Sequence, residues 1–327
     1  MGILKEKLLL WEAIFLKYAI IDLGSNTIRL SVYRILPEGS YELLFSKKET
    51  AGLANYIRSN ELSKTGIRRA CGALTSFREL LRQLRIGEAH VFATASLRNI
   101  RNTEEAVQTI RQTTGIDVEV LSGRTEAELG YYGAMQTLDL KTGAMFDIGG
   151  GSTEIVEVKN GTILRAQSLP VGSLNLFKRC VSGIWATRKE LRALQELTEK
   201  TLDAANLPVK KATCICGIGG TARAMLKITN ACLDRPAANR RMTPDELHRI
   251  AKLLQKQDER ARQLILNACP DRLHTLLPGS LLMDELCGRL CEKEIVVSGS
   301  GVREGYLYWK ALRKEARKEN AEHEKEG

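Results

Sequence analysis

The chain has 327 residues, more than one ordinary core fills, so about two domains are expected. Hydrophobic residues make up 43% and charged residues 27%, which excludes a disordered or fibrous chain. Lys and Arg number 49 against 39 Asp and Glu, and this net charge of +10 favours polyanionic partners, while 5% aromatics and no aromatic-rich basic patch argue against a base-stacking platform for nucleic acid.

The elements then follow in chain order. The first 16 residues carry Lys5, Lys7 and the run Leu8-Leu9-Leu10-Trp11, a faint signal-peptide pattern interrupted by Glu12 and lacking a small-residue cleavage site. They are read as a local extension, 1–17. Segments 18–22, 28–34 and 41–48 read as three hairpin-linked strands, with a turn at Pro37-Glu38-Gly39. A helix over 63–85 has apolar residues at Ile67, Leu74, Phe77, Leu81 and Leu84. Strand 90–93, a helix opening near Thr103, strand 118–121 and helix 125–137 complete the first half.

The second half repeats the order. Strands are expected at 144–147, 154–159 and 162–168, then helices at 174–178 and 188–204, strand 213–217 and a helix from Gly220. Thr243-Pro244-Asp245-Glu246 is a capping box with Pro at the first helical position. Helix 276–289, strand 294–298 and a helix from Gly301 close the pattern. The expected domains are 1–140 and 141–310, followed by a charged tail, 311–327. A ligand is expected in the cleft between the halves, where strand ends collect ligands.

Eight cysteines form no C-x-x-C pair, and the four histidines are isolated. Buried, reduced thiols and no zinc site are expected. No segment reaches the ~20 apolar residues of a bilayer span. The protein is read as cytoplasmic, with neither nucleic acid nor membrane as partner.

The chemistry sits in four glycine loops. Asp22-Leu23-Gly24-Ser25-Asn26-Thr27 and Asp147-Ile148-Gly149-Gly150-Gly151-Ser152-Thr153 each follow an apolar strand and precede another, 125 positions apart. Backbone N–H groups at glycines approach anions closely, hydroxyls add donors, and Asp offers a hard oxygen to Mg²⁺. Gly217-Ile218-Gly219-Gly220-Thr221 and Ser298-Gly299-Ser300-Gly301 each end a strand and open a helix, where free N–H groups receive anions. The spacing points to a phosphate-handling enzyme.

Those loops, with Thr94-Ala95-Ser96-Leu97-Arg98 and nearby Asn102, Leu121-Ser122-Gly123-Arg124-Thr125-Glu126-Ala127 and Ser168-Leu169-Pro170-Val171-Gly172, resemble the exopolyphosphatase/guanosine pentaphosphate phosphohydrolase (Ppx/GppA) family over about residues 17–310. The resemblance implies an α/β fold of two actin-like domains (ribonuclease H-like, the ASKHA superfamily) flanking an interdomain cleft. It implies hydrolysis of terminal phosphoanhydride bonds with Glu126 as catalytic base. The motif usually carries two adjacent glutamates. Here Thr125 replaces the first, which removes a like charge beside Glu126 and lowers its pKa relative to relatives.

Water attack needs an oriented water, a base and positive charge on the transferred group. Asp22, Asp147 and Glu154 are the candidate ligands for Mg²⁺ (or Mn²⁺). Gly24, Ser25, Asn26, Thr27, Gly149, Gly150, Gly151, Ser152, Thr153, Gly219, Gly220 and Thr221 are candidate phosphate donors, with Arg98 and Arg303 as clamps. Inorganic polyphosphate is the expected substrate, and guanosine pentaphosphate the alternative within the family. Longer relatives add a C-terminal helical domain that lengthens the polyanion channel, so short chains are expected here. A kinase or ATPase of the same fold, or a non-catalytic polyphosphate binder, are the readings from other classes. Glu126 favours water as the acceptor over an alcohol. Homodimers are common in the family, though nothing in the sequence marks an interface.

Overall fold

The computed structural model describes residues 16–312 except 37, 38, 88 and 209. The N-terminal extension up to residue 15, the Pro37-Glu38 part of the expected turn and the charged tail beyond 312 lie outside the described residues. The described chain divides into two compact units: residues up to Ser122 together with those from Leu307, and Gly123–Tyr306. The sequence reading placed the boundary near Leu140. The helix Gly123–Ala134 instead packs within the second unit.

In the first unit, β1 (Lys17–Leu23), β2 (Ile28–Ile35) and β3 (Tyr41–Glu49) form an antiparallel meander. A short hairpin, β4 (Ile57–Arg58) with β5 (Glu61–Leu62), leads into the helix Lys64–Gln83. Ser63 caps that helix by accepting the Gly66 N–H. β6 (Ala89–Ala93) and β7 (Val118–Val120) then join in parallel, giving the order β3-β2-β1-β6-β7. Parallel neighbours need crossover connections, and the helices Lys64–Gln83 and Thr103–Thr114 supply them. Their apolar stripes, Leu74 and Phe77 on the first and Ala106 and Ile110 on the second, bury against Ile21, Leu23 and Leu30 of the sheet. Full burial of Leu23, Leu74 and Phe77 contributes up to about 2 kcal/mol each.

The second unit repeats this order with additions. β8 (Gly143–Ile148), β9 (Thr153–Lys159) and β10 (Thr162–Leu169) are antiparallel. β11 (Ala212–Ile218) runs parallel to β8, and β13 (Cys291–Val297) runs parallel to β11. The edge strand β12 (Arg241–Met242) completes the order β10-β9-β8-β11-β13-β12. Alternate residues feed two cores, as period two requires. Phe146, Ile155 and Ile215 join the main cluster, whereas Met145, Val156 and Cys216 pack with Ala127, Tyr131 and Ala134 of the helix Gly123–Ala134.

The expected capping box at Thr243 opens the helix Pro244–Gln255, and a second, Thr187 with Glu190, opens Arg188–Asp203. The helix Glu259–Ala268, capped by Asp258, escaped the sequence reading because its two buried apolar positions are set among charges. The helix expected from Gly301 spans Val302–Leu307 and loosens into a π-helical turn, Tyr308–Leu312. All eight cysteines are unpaired, as the spacing suggested. Burial pushes the Cys216 thiol up to about 12 and Cys287 well above its usual range, so both remain inert thiols. Among the described residues no helix is long and apolar enough to cross a membrane.

Candidate functional site

The two Asp–Gly loops close by the same turn. Gly24 donates its N–H to the Thr27 carbonyl at 3.1 Å, and Gly149 donates to Ser152 at 3.0 Å. A Cβ at Gly24 would lie 2.9 Å from the Thr27 oxygen, and one at Gly149 would lie 3.2 Å from that of Ser152. The carbonyls of each loop face inward. Ser25 and Asn26 accept from Ala54 and Gly52, while Gly149 and Gly150 accept from Ser173, Leu174 and Asn175. The amides of Ser25, Asn26, Gly150 and Gly151 have no partner among the described residues. Each loop therefore presents consecutive N–H groups, which is the chemistry of an anion nest.

The loops differ in what faces the aspartate. Asp22 pairs in register with Arg29 across β1 and β2, whereas Asp147 pairs with Glu154 across β8 and β9. Directly opposed residues share a face of the sheet. Glu154 is buried and accepts a hydrogen bond from the Ser168 hydroxyl at 2.7 Å.

Around Asp147 the second unit gathers charge. Burial pushes its carboxyl up, against the opposing pull of Arg223, Arg272 and Arg303. Gly219, at φ 78°, lies against that carboxylate: a Cβ there would sit 1.9 Å from Oδ1. This left-handed conformation and the contact both require glycine. A Cβ at Gly220 would meet the Arg272 guanidinium at 1.7 Å, so the paired glycines let an acid and a base approach the same backbone. Arg223 donates to the Gly299 carbonyl at 3.4 Å, and burial lowers its pKa.

Glu126 lies in the first turn of Gly123–Ala134 and is 7% exposed. That helix meets the Arg303 helix at glycines. A Cβ at Gly133 would be 1.9 Å from the Gly301 carbonyl, and one at Gly305 would be 1.9 Å from that of Leu129. The two backbones are in direct contact, which fixes the helix carrying Glu126 against the loop Ser298–Gly301. Ser122-Gly123-Arg124-Thr125-Glu126 and Ser300-Gly301-Val302-Arg303-Glu304 share the pattern Ser-Gly-x-x-Glu. Glu304 uses its carboxylate to accept the Gly301 N–H at 2.7 Å.

Several side chains named from the sequence have structural hydrogen-bond partners. Thr153 is buried and donates to the Val171 carbonyl at 2.6 Å, and Thr221 donates to Ile148 at 2.9 Å. Asn102 clamps Leu62 through both its amide groups, at 2.9 and 3.0 Å. Arg98 donates to the Leu121 carbonyl at 3.3 Å. The structure brings Asp147, Glu154, Gly149–Ser152, Gly219, Gly220, Arg303 and Glu126 into one unit, and Asp22, Gly24–Thr27 and Arg98 into the other.

Arg223 and Arg272 were missed. Arg223 had a signal: Ser96-Leu97-Arg98 and Thr221-Ala222-Arg223 stand 125 positions apart, the same interval as Asp22 and Asp147. Both hydroxyls donate to the strand before the nest, Ser96 to Leu23 and Thr221 to Ile148. Arg272, on a 3₁₀ turn far along the chain, had no local signal.

Among the described residues no three His, Cys, Asp or Glu side chains converge into a metal cage. Mg²⁺ needs none: it keeps several waters and binds through one or two carboxylates plus substrate phosphate. The opposed acids Asp147 and Glu154 fit such an ion. Asp22, facing Arg29, has a cation in register already.

A family model matches residues 31–314, most of the chain. The chain belongs to the Ppx/GppA phosphatase family. With that family comes an activity class, hydrolysis of phosphorus-containing anhydrides. The chain is 27% identical over 296 residues to a Haemophilus influenzae protein provisionally named an exopolyphosphatase, covering 89% of this chain and 90% of that one. An exopolyphosphatase from Cytophaga hutchinsonii shares the fold with a TM-score of 0.79 at 23% identity, over 91% of this chain and 98% of that one. The Ppx/GppA member from Aquifex aeolicus gives 0.75 at 22%, over 92% and 99%. These likenesses carry the α/β fold expected from the sequence.

Proposed function

We propose that this Ppx/GppA phosphatase removes the terminal orthophosphate of inorganic polyphosphate. The observation that carries this reading is the setting of Asp147, where three arginines converge beside the Gly149–Ser152 nest. A terminal phosphoryl group is received by the Gly150 and Gly151 amides. Arg223, Arg272 and Arg303 offset the charge on its oxygens, which transition-state stabilisation of phosphoryl transfer demands. Glu126 accepts the proton of the attacking water, with Thr125 rather than a second glutamate beside it. Mg²⁺ on Asp147 and Glu154, when bound, neutralises phosphate oxygens and orients the anhydride.

Phosphate release from tripolyphosphate, long-chain polyphosphate, guanosine pentaphosphate, GTP and ATP, with and without Mg²⁺, tests the reading. Polyphosphate is expected to give the highest kcat/KM. Glu126→Ala is expected to lower kcat by at least about 10³-fold while still binding the chain. A fully active Glu126→Ala would remove Glu126 from the mechanism. Preferred turnover of guanosine pentaphosphate would reassign the substrate, and transfer from ATP to an acceptor alcohol would indicate a kinase.

A further inference from the structure

We infer that a cavity between three helices of the Gly123–Tyr306 unit binds a linear aliphatic polyamine, through Thr198, Asp284 and the carboxylates around them. The site is separate from the phosphate site and does not depend on how that site works. Its walls are the helices Arg188–Asp203, Pro244–Gln255 and Leu276–Leu290. Their apolar faces, with Leu194 and Leu202, Leu247 and Leu254, Leu282 and Leu286, are buried in the main core. Beside that core their polar edges leave a cavity of about 410 Å³. The third helix fixes its distance from the nest. A Cβ at Gly279 would lie 2.9 Å from Thr221 and 3.2 Å from Ser173, the residues that bond Ile148 and Gly149. Asp284 and Gly288 line the cavity about 8 and 14 Å further along the helix axis.

Thr198 points to a ligand. It lines the cavity, it is 1% exposed, and its hydroxyl is the buried side-chain polar group that lacks a hydrogen-bond partner among the described residues. A helix threonine can satisfy itself on the carbonyl four residues back. Thr201 does so on Leu197, one turn away on the same helix, as Thr114 does on Ile110 and Thr229 on Met225. Thr198 makes no such bond. A buried hydroxyl without a partner costs free energy, and a polar group from outside the chain removes that cost.

The neighbours of Thr198 set the sign of that group. Glu199, Asp245, Asp284, Glu285 and Glu292 line the cavity against Lys211 and Lys252, an acidic excess in a chain whose net charge is +10. Asp284 holds the His248 Nδ1 at 3.0 Å, and Glu285 accepts from Arg289 at 2.9 Å. Glu199, Asp245 and Glu292 are exposed, and their carboxylates make no hydrogen bond or ion pair among the described residues. Such a lining attracts a cation. The carboxylates stand on three helices and the start of β13 and do not converge on one point, so spaced ammonium groups match them better than one metal ion does. No Phe, Tyr or Trp ring lines the cavity, which disfavours a quaternary ammonium group. One ammonium donates to the Thr198 hydroxyl and the Asp284 carboxylate, and the next meets the exposed carboxylates at the mouth.

Calorimetric titration of the full chain with spermidine, without polyphosphate or Mg²⁺, tests the site. A single saturable event is expected. Asp284→Asn is expected to weaken it about tenfold and Thr198→Val about threefold. Glu199→Gln, on the surface, is the milder variant should Asp284→Asn melt early, and about a threefold loss is expected from it. Thr198→Val should also raise Tm in the absence of spermidine, because it removes an unbonded buried hydroxyl. A fall in that Tm would show that the hydroxyl is already satisfied within the chain and would overturn the site. No saturable binding at millimolar spermidine, or binding that neither Thr198→Val nor the carboxylate variants weaken, would overturn it too. Equally tight binding of Mg²⁺ alone or of free lysine, with the same losses in the variants, would overturn the assignment to a polyamine.

Discussion

The Asp22 loop and the Asp147 loop are the same device in different electrostatic settings. Both close a glycine turn, present two consecutive amides and receive a hydroxyl bond from a Ser/Thr-x-Arg segment. Across the hairpin, however, one aspartate faces Arg29 and the other faces Glu154. Gly219 and Gly220 admit the Asp147 carboxylate and the Arg272 guanidinium, where the first unit has Thr94 and Ala95. The lesson is that the same nest geometry recurs in either unit, while the charges around it differ: a cation in register with the first aspartate, a carboxylate and arginines near the second.

The sharpest way to break that contrast is to give Gly219 the Cβ that the first unit's counterpart, Thr94, carries. Gly219→Ala places a Cβ against Asp147 at a left-handed position. Backbone strain and overpacking together are expected to cost about 2–4 kcal/mol, a fall in Tm of roughly 10 °C, with phosphate release lost. A scanning-calorimetry profile matching wild type would mean that the close approach of Gly219 is dispensable.

A smaller effect separates the paired arginines. Arg223→Gln is expected to lower kcat/KM by about 10- to 100-fold, the worth of a charge-assisted phosphate contact. Arg98→Gln, whose guanidinium already bonds the Leu121 carbonyl, should cost about threefold. Equal losses would show that both units carry comparable phosphate charge and would dissolve the distinction.

The smallest effect lies in stability against pH, measured with a chelator present. Burial raises the Asp147 carboxyl above its unfolded value, so the folded state binds the proton more tightly. Stability then falls as pH rises from the unfolded pKa through the folded one, and the ionised carboxyl costs stability at neutral pH. Asp147→Asn should raise Tm at pH 7 and flatten this slope. Asp22→Asn, opposite Arg29, should show no such gain. A fall in Tm for Asp147→Asn would mean that its arginines outweigh its burial.

Much of this was legible in the sequence because it is local. Alternating and 3.6-period apolar residues gave both meanders and the helices between them, and Thr243 with Glu246 marked a helix start that the structure keeps. Glycine between an apolar strand and hydroxyls marked the nests, since few other roles need that composition. The 125-residue interval was also there to be used, and it linked Arg223 to Arg98. Hydroxyl partners were not legible: the bonds of Thr153 to Val171 and of Thr221 to Ile148 join positions 18 and 73 residues apart.

What the sequence by itself determined was the two-fold repeat of sheet order, the nests and the glutamate in the Ser-Gly-x-x-Glu segment, all set by short-range stereochemistry and periodicity. Only the tertiary structure decided that Gly123–Ala134 packs within the second unit, that Asp147 faces an acid while Asp22 faces a base, and that Arg272 reaches Gly220 from a distant turn. Those outcomes depend on strand register and on side chains meeting across long sequence separations, and no local pattern encodes such meetings.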